Sequence, residues 1–361
     1  MPTQAYLNSV ATAVPANDVH RFFIDFAGTL LADEPRRRAV FNRMADKGGI
    51  EHRYACFAPA SDATAASADA DGVFARGAFP GTAKRMDIYA RLAPILAEQA
   101  VNKVLVGQDR AAISHIIVTT CTGFSAPGMD LEIVARCGLS TSVERTIIGF
   151  MGCYAAINAL KQARHIVRSE PNARVLVVNI ELCTIHLKET TDLEKLLSFC
   201  LWGDGCAASI ISAEATGMAL DSFHAVVAPD SRELMTWSVR DDGFDMVLSG
   251  QVPAAIHEIL GAKAAEILDG APIAAIDLWA VHPGGKSVLD AVERALSLPF
   301  NALAASREVL RAKGNMSSAT VMFVLEAMMA VRKADHRGCA MAFGPGLTAE
   351  TMLFHTMDAA H

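Results

Sequence analysis

Strand patterns and helix patterns alternate along this chain in two successive series. The elements predicted for the first series are a helix over 87–106, a strand over 113–120, a helix over 129–137, a strand over 146–150, a helix over 153–168 and a strand over 174–180. Those predicted for the second series are a helix carrying apolar residues from 256 to 267, a strand over 276–281, a helix over 287–297, a helix opened by Gly314-Asn315 and a strand over 339–343. Such alternation predicts right-handed crossovers and a mainly parallel sheet with both faces covered, which is an α/β fold.

The two series share a spacing of 30 residues. Gly123 and Cys153 are 30 residues apart, and so are Gly285 and Asn315. The equal offsets predict an internal duplication in which Cys153 and Asn315 open equivalent helices. His282 would then end the strand equivalent to the one that ends at Cys121. Two equivalent halves would direct their polar side chains towards the interface between them.

Composition defines the broad class of protein. The 361 residues are 52% hydrophobic and 20% charged, which predicts a folded chain with a large buried core. Since 32 Lys and Arg face 39 Asp and Glu, the net charge of −7 argues against nucleic acid as a partner. This net charge still allows a local group of basic residues at the entrance of a site that binds a phosphorylated ligand.

The cysteine usage and the N-terminal residues predict a reducing compartment. The eight cysteines include no Cys-x-x-Cys pair, so we expect neither a disulfide framework nor structural zinc. Residues 1–14 lack a targeting pattern, and no stretch approaches the roughly 18 apolar residues of a membrane span. We therefore expect a cytoplasmic protein without a membrane span.

Cys153 is the first candidate catalytic residue. The segment 150–156 reads as a strand end, a glycine turn and a helix that begins at this cysteine. Free N–H groups and partial positive charge at a helix N-terminus favour the thiolate, the form that attacks a carbonyl. Taken alone, Cys153 fits a small buried residue at a helix start equally well.

His282 and Asn315 are the second and third candidates. His282 ends a predicted strand before Pro283-Gly284-Gly285, where ligands bind at the carboxyl edge of open α/β sheets. Asn315 reads either as a helix cap or as an amide donor to an oxyanion.

Two chemistries use cysteine, histidine and asparagine in this order. A papain-like thiol hydrolase is one, and the 129 residues between Cys153 and His282 fit it superficially. However, Cys153 lies far from the N-terminus, and the hydrolase string around the cysteine is missing. The other chemistry is Claisen condensation of thioesters.

Seven ordered strings connect the chain to a known family. They are Phe41 to Lys47 with Arg53-Tyr54, Thr119 to Gly123 with Pro127-Gly128, Gly149 to Cys153, Leu201 to Gly205, His282 to Gly285, Gly314 to Ser318, and Phe343 to Thr348. With these strings the chain resembles the type III polyketide synthases, the chalcone synthase-like branch of the thiolase-fold condensing enzymes. The loop Gly344-Pro345-Gly346 is a signature of this family, and it argues against the acyl-carrier-dependent initiators of fatty-acid synthesis, which share the same three polar residues.

The resemblance implies a thiolase-like α/β fold, with two βαβαβ halves that form a five-layer αβαβα sandwich. The halves would be residues 1–216, carrying the nucleophilic cysteine, and residues 217–361, carrying His282 and Asn315. It implies that Cys153 takes an acyl group from an acyl-CoA starter, and that His282 and Asn315 stabilise the enolate formed when malonyl-CoA loses carbon dioxide. No metal or redox cofactor is implied, since the CoA thioesters are substrates. The runner-up is a condensing enzyme like β-ketoacyl-acyl carrier protein synthase III, and an idle acyl-CoA-binding protein is a third hypothesis.

The resemblance also assigns residues around the three catalytic positions. Arg43, Lys47, Gly284 and Gly285 would bind CoA, and Gly344, Pro345 and Gly346 would form a cyclisation loop. The residues at gatekeeper or cavity positions are Trp202, Met246, Trp237, Cys121, Thr122, Cys183, His186, Phe343 and Ser317.

The cavity positions depart from plant enzymes. Met246 stands where a second gatekeeper Phe is usual, and Trp237 where plant enzymes have Gly. Cys121, Cys183 and His186 fall at or near the places where plant enzymes have lining threonines. Cysteine at both lining positions resembles bacterial members, which make alkylpyrones, alkylresorcinols or tetrahydroxynaphthalene. The resemblance further implies a homodimer with a loop near Ala126 against the partner. The starter, the number of extensions and the cyclisation mode stay open from sequence.

Overall fold

A nine-stranded mixed sheet organises the chain. The structure is a computed structural model and describes residues 3–331 and 334–357. The strands are β1 Tyr6–Ala13, β2 Asn17–Asp18, β3 Tyr54–Ala55, β4 His115–Thr120, β5 Glu144–Gly149, β6 Val175–Leu182, β7 Asp204–Ser212, β8 Met218–Val227, β9 Met235–Arg240, β10 Gly243–Leu248, β11 Leu278–Val281, β12 Arg337–Gly344 and β13 Thr348–Thr356. The strand order in the large sheet is β11-β12-β13-β8-β1-β7-β6-β4-β5, and β2-β3 and β9-β10 form separate pairs.

Over residues 3–331 and 334–357, ten helices surround and divide this sheet. They are α1 His20–Leu30, α2 Pro35–Lys47, α3 Thr82–Val104, α4 Met129–Cys137, α5 Ala155–Ser169, α6 Leu193–Phe199, α7 Val252–Ile267, α8 Lys286–Ala295, α9 Ala304–Lys313 and α10 Thr320–Ala330. None of the helices in the described part of the chain is long and apolar enough to cross a membrane.

The sheet consists of two strand groups with a narrow junction. In the first group β4 pairs in parallel with β5 and β6, and β7 and β1 extend it antiparallel. In the second group β11 and β12 are parallel, while β13 and β8 are antiparallel. Only two residue pairs, Tyr6↔Ala219 and Leu7↔Met218, join β1 to β8. The predicted boundary at residues 216–217 falls in the turn between β7 and β8.

Three apolar clusters build five layers from these groups. Helices α3 and α4 pack on the outer face of the first strand group. Helices α5 and α10 lie between the groups and contact strands of both. Helices α7 and α8 cover the outer face of the second group. The layers alternate α, β, α, β and α, so the α/β prediction with its thiolase-like layering is confirmed.

The two halves are less alike than the sequence spacing predicts. In the first half, β5 lies between α4 and the turn at Cys153, whereas helix α9 occupies the corresponding place in the second half. Segment 304–313 repeats its buried residues at helical rather than strand spacing, with Ser306, Val309 and Leu310 buried. The second strand group therefore has four strands where the first has five.

The predicted equivalence of Cys153 and Asn315 is wrong by three residues. A short 3-10 turn at Gly152–Tyr154 precedes α5, and a matching turn at Ser317–Ala319 precedes α10. Their first residues, Gly152 and Ser317, both have positive φ, at 73° and 48°. Cys153 thus corresponds to Ser318, because α9 ends at Lys313 and the chain runs extended through Asn315 before the turn.

Candidate active site

Cys153 lies in the tight turn between β5 and α5. Gly152 makes this turn possible, because its φ of 73° is in the left-handed region that favours glycine. A Cβ there would also lie 2.4 Å from Cδ of Pro345. The turn buries Cys153 to 5% exposure and brings it against the apolar side chains of Cys183 and Trp202.

Burial dominates the protonation of this thiol. The Sγ atom of Cys153 lies 3.7 Å from Oγ of Ser317, which in turn lies 3.2 Å from Sγ of Cys121. Loss of solvent raises the pKa of Cys153 to about 12, and the contact with Ser317 offsets only part of that rise. Burial therefore opposes the thiolate that the helix N-terminus is expected to favour.

His282 follows β11 directly, as the sequence predicts. Its backbone N–H donates to the carbonyl of Met341, and the side chain is 1% exposed. Neither ring nitrogen has a hydrogen-bond partner among the described residues. Burial lowers the pKa of His282 to about 3, so the imidazole is neutral and can accept a proton.

Asn315 is held by its backbone and its side chain. Its N–H donates to the carbonyl of Leu201 and its carbonyl accepts from Gly203, in a parallel bridge beside Trp202. The backbone N–H of Ser317 donates to Oδ1 of Asn315 at 2.8 Å. This bond fixes the amide orientation, so that Nδ2 donates to the carbonyl of Gly284 at 3.1 Å and keeps a second N–H.

Cys153, His282 and Asn315 line one small cavity. The other residues lining this cavity are Trp202, Met235, Met246, Leu248, Gly284, Val288 and Phe343. A nucleophile, a neutral base and an amide donor therefore converge on one apolar space. That arrangement suits attack on a thioester and stabilisation of an oxyanion or enolate.

A surface mouth adjoins this cavity and is lined by Lys47, Lys286, Gly284 and Gly285. The mouth and the catalytic cavity share Leu248, Gly284 and Val288, so the two spaces adjoin at these residues. Arg43 lies exposed on α2 with Lys47 and is not among the residues that line the mouth. Lys286 stands at the start of α8, beside the predicted glycine pair.

A second, inner cavity is also lined by Cys153. The predicted cavity residues that line it are Cys121, Thr122, Cys183, His186, Trp202, Trp237, Met246 and Ser317, and Pro345 of the predicted cyclisation loop lines it as well. Trp202 and Met246 line the inner cavity and the catalytic cavity alike. Both side chains thus stand at the passage between the two spaces, where the sequence predicts gatekeepers.

One wall of the inner cavity is a closed aromatic cluster around His186. Its Nε2 donates to the carbonyl of Thr122 at 2.7 Å and its Nδ1 accepts from the N–H of Phe244 at 3.1 Å. The imidazole stacks on the Phe244 ring at 4.2 Å, and Trp237 meets both rings edge-on. Trp237 is itself tied by Nε1 to the carbonyl of Cys121 at 2.7 Å. His186 is therefore part of a fixed wall.

The Gly344-Pro345-Gly346 loop packs onto the turn that carries Cys153. A Cβ at Gly344 would lie 2.5 Å from the ring of Tyr154, and Gly346 has a φ of 75°. Pro345 lines the inner cavity, whereas Gly344 and Gly346 do not. Phe343, just before the loop, lines the catalytic cavity instead.

Several residues of the site escaped the sequence analysis. Phe199, Met235 and Leu248 line the cavities, but their sequence contexts are those of ordinary apolar core residues. Buried Glu181 accepts hydrogen bonds from the backbone N–H of Cys121 and the hydroxyl groups of Thr122 and Ser318. Only its place at the end of an apolar strand, where a carboxylate is costly, could have marked it.

A candidate cation ligand set lies away from these cavities. Ligand atoms of His115, Glu144 and Glu170 come within 4.8 Å of one another. His115 begins β4, so this set is at the opposite end of that strand from Cys121.

Comparison with known sequences defines the family. The model of the chalcone and stilbene synthase N-terminal domain matches residues 3–215, and that of the C-terminal domain matches residues 220–358. The chain belongs to the chalcone and stilbene synthase family. It is a type III polyketide synthase, a condensing enzyme of the acyltransferase type, and the resemblance seen in the sequence is confirmed.

Relatives and solved structures agree with this assignment. The chain is 36% identical to the alpha-pyrone synthesis polyketide synthase-like Pks18 of Mycobacterium tuberculosis, over 98% of this chain and 91% of that protein. It is 34% identical to bisdemethoxycurcumin synthase of Oryza sativa subsp. japonica, over 87% of this chain and 82% of that protein. The structure of PKS-I from the brown alga Ectocarpus siliculosus superposes with a TM-score of 0.88 at 27% identity, covering 99% of each chain. The C-terminal type III domain of Steely1 from Dictyostelium shares the fold, with a TM-score of 0.88 at 24% identity, over 98% of this chain and 100% of that domain.

Proposed function

We propose that this enzyme loads an acyl-CoA starter onto Cys153, extends it with malonyl-CoA by decarboxylative Claisen condensation and cyclises the product. The observation that carries the proposal is the shared cavity of Cys153, His282 and Asn315, between a lysine-lined mouth and an apolar inner chamber. A thioester entering by the mouth meets the nucleophile first and the chamber next.

The loading step begins from neutral partners. His282 Nε2 or Nδ1 accepts the proton of the Cys153 thiol as Sγ attacks the starter thioester. The new bond joins Sγ to the acyl carbon, and the bond to the CoA sulfur breaks. The departing CoA thiolate takes the proton from His282. Burial keeps the imidazole of His282 neutral, so that a ring nitrogen is free to accept the proton.

In the extension step, Asn315 and His282 stabilise the negative charge of an enolate. The malonyl carboxylate leaves as carbon dioxide, and its electron pair forms an enolate on the thioester. The second Nδ2–H of Asn315 and a ring N–H of His282 donate to the enolate oxygen. The enolate carbon then attacks the acyl carbonyl on Cys153, a carbon–carbon bond forms and the Cys153 thiolate leaves. The reaction as written needs no metal or redox cofactor, because loss of carbon dioxide drives it.

The mouth supplies the contacts for CoA. We assign Lys47 and Lys286 to the phosphates, since both line the mouth, with Arg43 as an outer charge on the same helix as Lys47. Gly284 and Gly285 would border the pantetheine arm. Gly284 stands beside the imidazole of His282, and its missing side chain leaves that approach open.

The inner cavity would accommodate the growing chain and direct its cyclisation. Trp202 and Met246 would act as gatekeepers, with Pro345 and the cysteines of the wall shaping the chamber. A product of the pyrone, resorcinol or related class is our proposal. The relative named for alpha-pyrone synthesis, at 36% identity, supports a pyrone among these.

An exposed sheet edge supports the proposal of a homodimer. Strand β5 pairs only with β4 among the described residues, and five of its six residues are exposed. Large apolar side chains cluster along this edge, namely Phe124, Ile147, Phe150 and Met151. An unpaired apolar edge is a template for pairing with a second strand. A second copy of this chain, covering β5 and the loop at Ala126, would pair with this edge.

The eight free thiols fit a reducing compartment, which we propose is the cytoplasm.

The test is product formation from defined thioesters. Incubation with malonyl-CoA and a panel of acyl-CoAs should release carbon dioxide and yield cyclised polyketides. Asn315→Ala should lose decarboxylation while the acyl group still loads onto Cys153, because Asn315 acts on the enolate. Activity only with malonyl-acyl carrier protein as extender would replace this proposal with the carrier-dependent alternative. Full activity of Cys153→Ala would overturn it.

A further inference from the structure

Three metal-ligating side chains meet at the edge of the sheet where β4 and β5 begin. His115 is the first residue of β4, Glu144 is the first residue of β5, and Glu170 directly follows α5. The two strands are parallel and pair His115 with Glu144, while the crossover helix α5 runs back towards the same edge. Parallel pairing therefore brings two of the side chains together, and the returning helix brings the third.

The imidazole of His115 is held in one orientation. Its side chain is 8% exposed, and Nδ1 lies 2.8 Å from Oγ of Ser114. The Ser114 hydroxyl donates to the carbonyl of Arg174 and accepts the backbone N–H of Arg174. We therefore assign the ring proton to Nδ1, which donates to Ser114. Nε2 is then the nitrogen with the free lone pair.

Nε2 of His115 faces two carboxylates without a hydrogen bond. It lies 3.6 Å from Oε2 of Glu144 and 4.0 Å from Oε2 of Glu170, which is beyond hydrogen-bond length. Neither glutamate forms an ion pair with a lysine or an arginine in the described part of the chain. A buried lone pair beside two carboxylates is unfavourable unless a cation lies between them.

The spacing of the three side chains suits a single metal ion. Bonds of about 2.1 Å to an imidazole nitrogen and to carboxylate oxygens place two ligands of one ion roughly 3 to 4 Å apart. The three ligand atoms lie within 4.8 Å of one another. The side chains of Glu144 and Glu170 are 73% and 58% exposed, so both are free to rotate inwards. Ser114 provides the outer hydrogen bond that orients a metal-binding histidine.

We propose that His115, Glu144 and Glu170 bind a divalent transition-metal ion such as Zn²⁺ or Mn²⁺, with water at the remaining coordination positions. One imidazole and two carboxylates suit both ions, and Zn²⁺ should bind more tightly than Mn²⁺. Strand β4 has six residues, so the ion would lie roughly 20 Å from Cys121 and away from the substrate. Its role is structural, because it would connect the start of the edge strand β5 to β4 and to the end of α5.

Equilibrium dialysis of the metal-free protein against Mn²⁺ and then Zn²⁺ tests this site. Mn²⁺ is the first probe, because the eight thiols of the chain prefer softer ions. The wild type should bind one Mn²⁺ ion, and Zn²⁺ should displace it. Glu144→Gln and Glu170→Gln should each weaken binding at least tenfold, because each removes a charged ligand. Glu233→Gln is the matched control, since it makes the same change at an exposed glutamate outside the set, and it should bind as the wild type does.

Bound metal should also oppose unfolding. Mn²⁺ at about 100 times its Kd should lower the unfolding equilibrium constant of the wild type about 100-fold, and that of Glu170→Gln no more than about tenfold. Binding of neither ion by the wild type, or equal binding by all four proteins, would overturn the inference. The three side chains would then form an ion pair through a protonated His115. Both measurements are made without substrate, so their outcome is independent of the proposed function.

Discussion

Gly152 and Pro345 are in such close contact that no side chain fits between them. A Cβ at Gly152 would lie 2.4 Å from Cδ and 2.8 Å from Cγ of Pro345. The turn that carries Cys153 and the Gly-Pro-Gly loop come from opposite halves of the chain, separated by β6 to β12. Their contact therefore sets the position of the nucleophile relative to the inner cavity.

We predict that Gly152→Ala unfolds more easily and loses catalysis. The positive φ and the clash with Pro345 together should cost about 3 kcal/mol of unfolding free energy, measured in urea. Displacement of Cys153 should lower kcat roughly 100-fold. Gly149→Ala is the control, because nothing lies within 4 Å of its Cβ position and it should behave as wild type. Equal stability of the two variants would contradict the prediction.

Ser317→Ala should make the Cys153 thiol less reactive. The hydroxyl of Ser317 lies 3.7 Å from Sγ of Cys153 and lowers the pKa of a thiol that burial raises. Losing a hydrogen bond worth about 1 kcal/mol should slow alkylation of Cys153 by iodoacetamide about fivefold. Peptide mass spectrometry across pH values measures the rate at this cysteine alone. A rate equal to or above that of the wild type would show that Ser317 does not stabilise the thiolate.

Arg53→Met should destabilise the protein more than loss of an exposed arginine. Arg53 is 2% exposed and donates to His20 and to the carbonyls of Phe199 and Trp202. Removing these donors should cost about 3 kcal/mol of unfolding free energy. Arg311→Met, at a solvated ion pair with Glu308, should change stability little. A similar loss in both variants would mean that the buried guanidinium has no special role.

The stability contributed by neutral His186 should disappear in acid. Its Nδ1 accepts the N–H of Phe244, so protonation would place two donors against each other. Burial lowers the pKa of His186 from 6.5 to about 3. The unfolded chain therefore takes up the proton first, and stability is lost as the pH falls from about 6.5 towards 3, by up to about 1.4 kcal/mol per pH unit.

Comparison with His186→Gln isolates this effect. Asp204 has the opposite influence, because burial raises its pKa to about 6, but that contribution is common to both proteins. The difference in unfolding free energy between wild type and variant should shrink from pH 7 to pH 4. A difference that stays constant over this range would contradict the assignment of a neutral imidazole.

Ile147→Lys should dissociate the proposed dimer. Ile147 is 44% exposed on the unpaired edge strand β5, where a lysine opposes strand pairing. Analytical ultracentrifugation should detect a dimer for the wild type and a monomer for the variant. Val106→Lys, at a 78% exposed site away from this edge, should remain dimeric. A monomeric wild type would remove the proposed interface.

Sequence periodicity predicted the parts of the fold that obey local rules. Helix α4 has the predicted bounds Met129–Cys137, and the strands before Cys121 and His282 end where the pattern ends. Strand β8, whose central residues are half-buried, carries no clear period and went unrecognised. Helix α9 lies where the duplication predicts a strand, because the equal spacing of Gly123 to Cys153 and Gly285 to Asn315 does not fix what lies between them.

The candidate site was likewise predictable from the sequence only in part. Motifs brought Cys153, His282 and Asn315 together correctly, and the roles given to them stay predictions. The pKa of Cys153 could not be predicted from its turn alone, because it depends on side chains from several distant segments that exclude water. The apolar cavity lined by Phe22, Phe57 and Ala68 could not be predicted either, since these side chains look like ordinary core residues until the chain folds.

Peptide mass spectrometry after brief exposure to an acyl-CoA tests the central claim most directly. Cys121 and Cys183 line the same chamber and are internal controls for non-specific acylation. We predict an acyl adduct on Cys153 alone, which disappears when malonyl-CoA is added and polyketide is released. An adduct distributed over the three cysteines, or none on Cys153 while product still forms, would contradict the proposal.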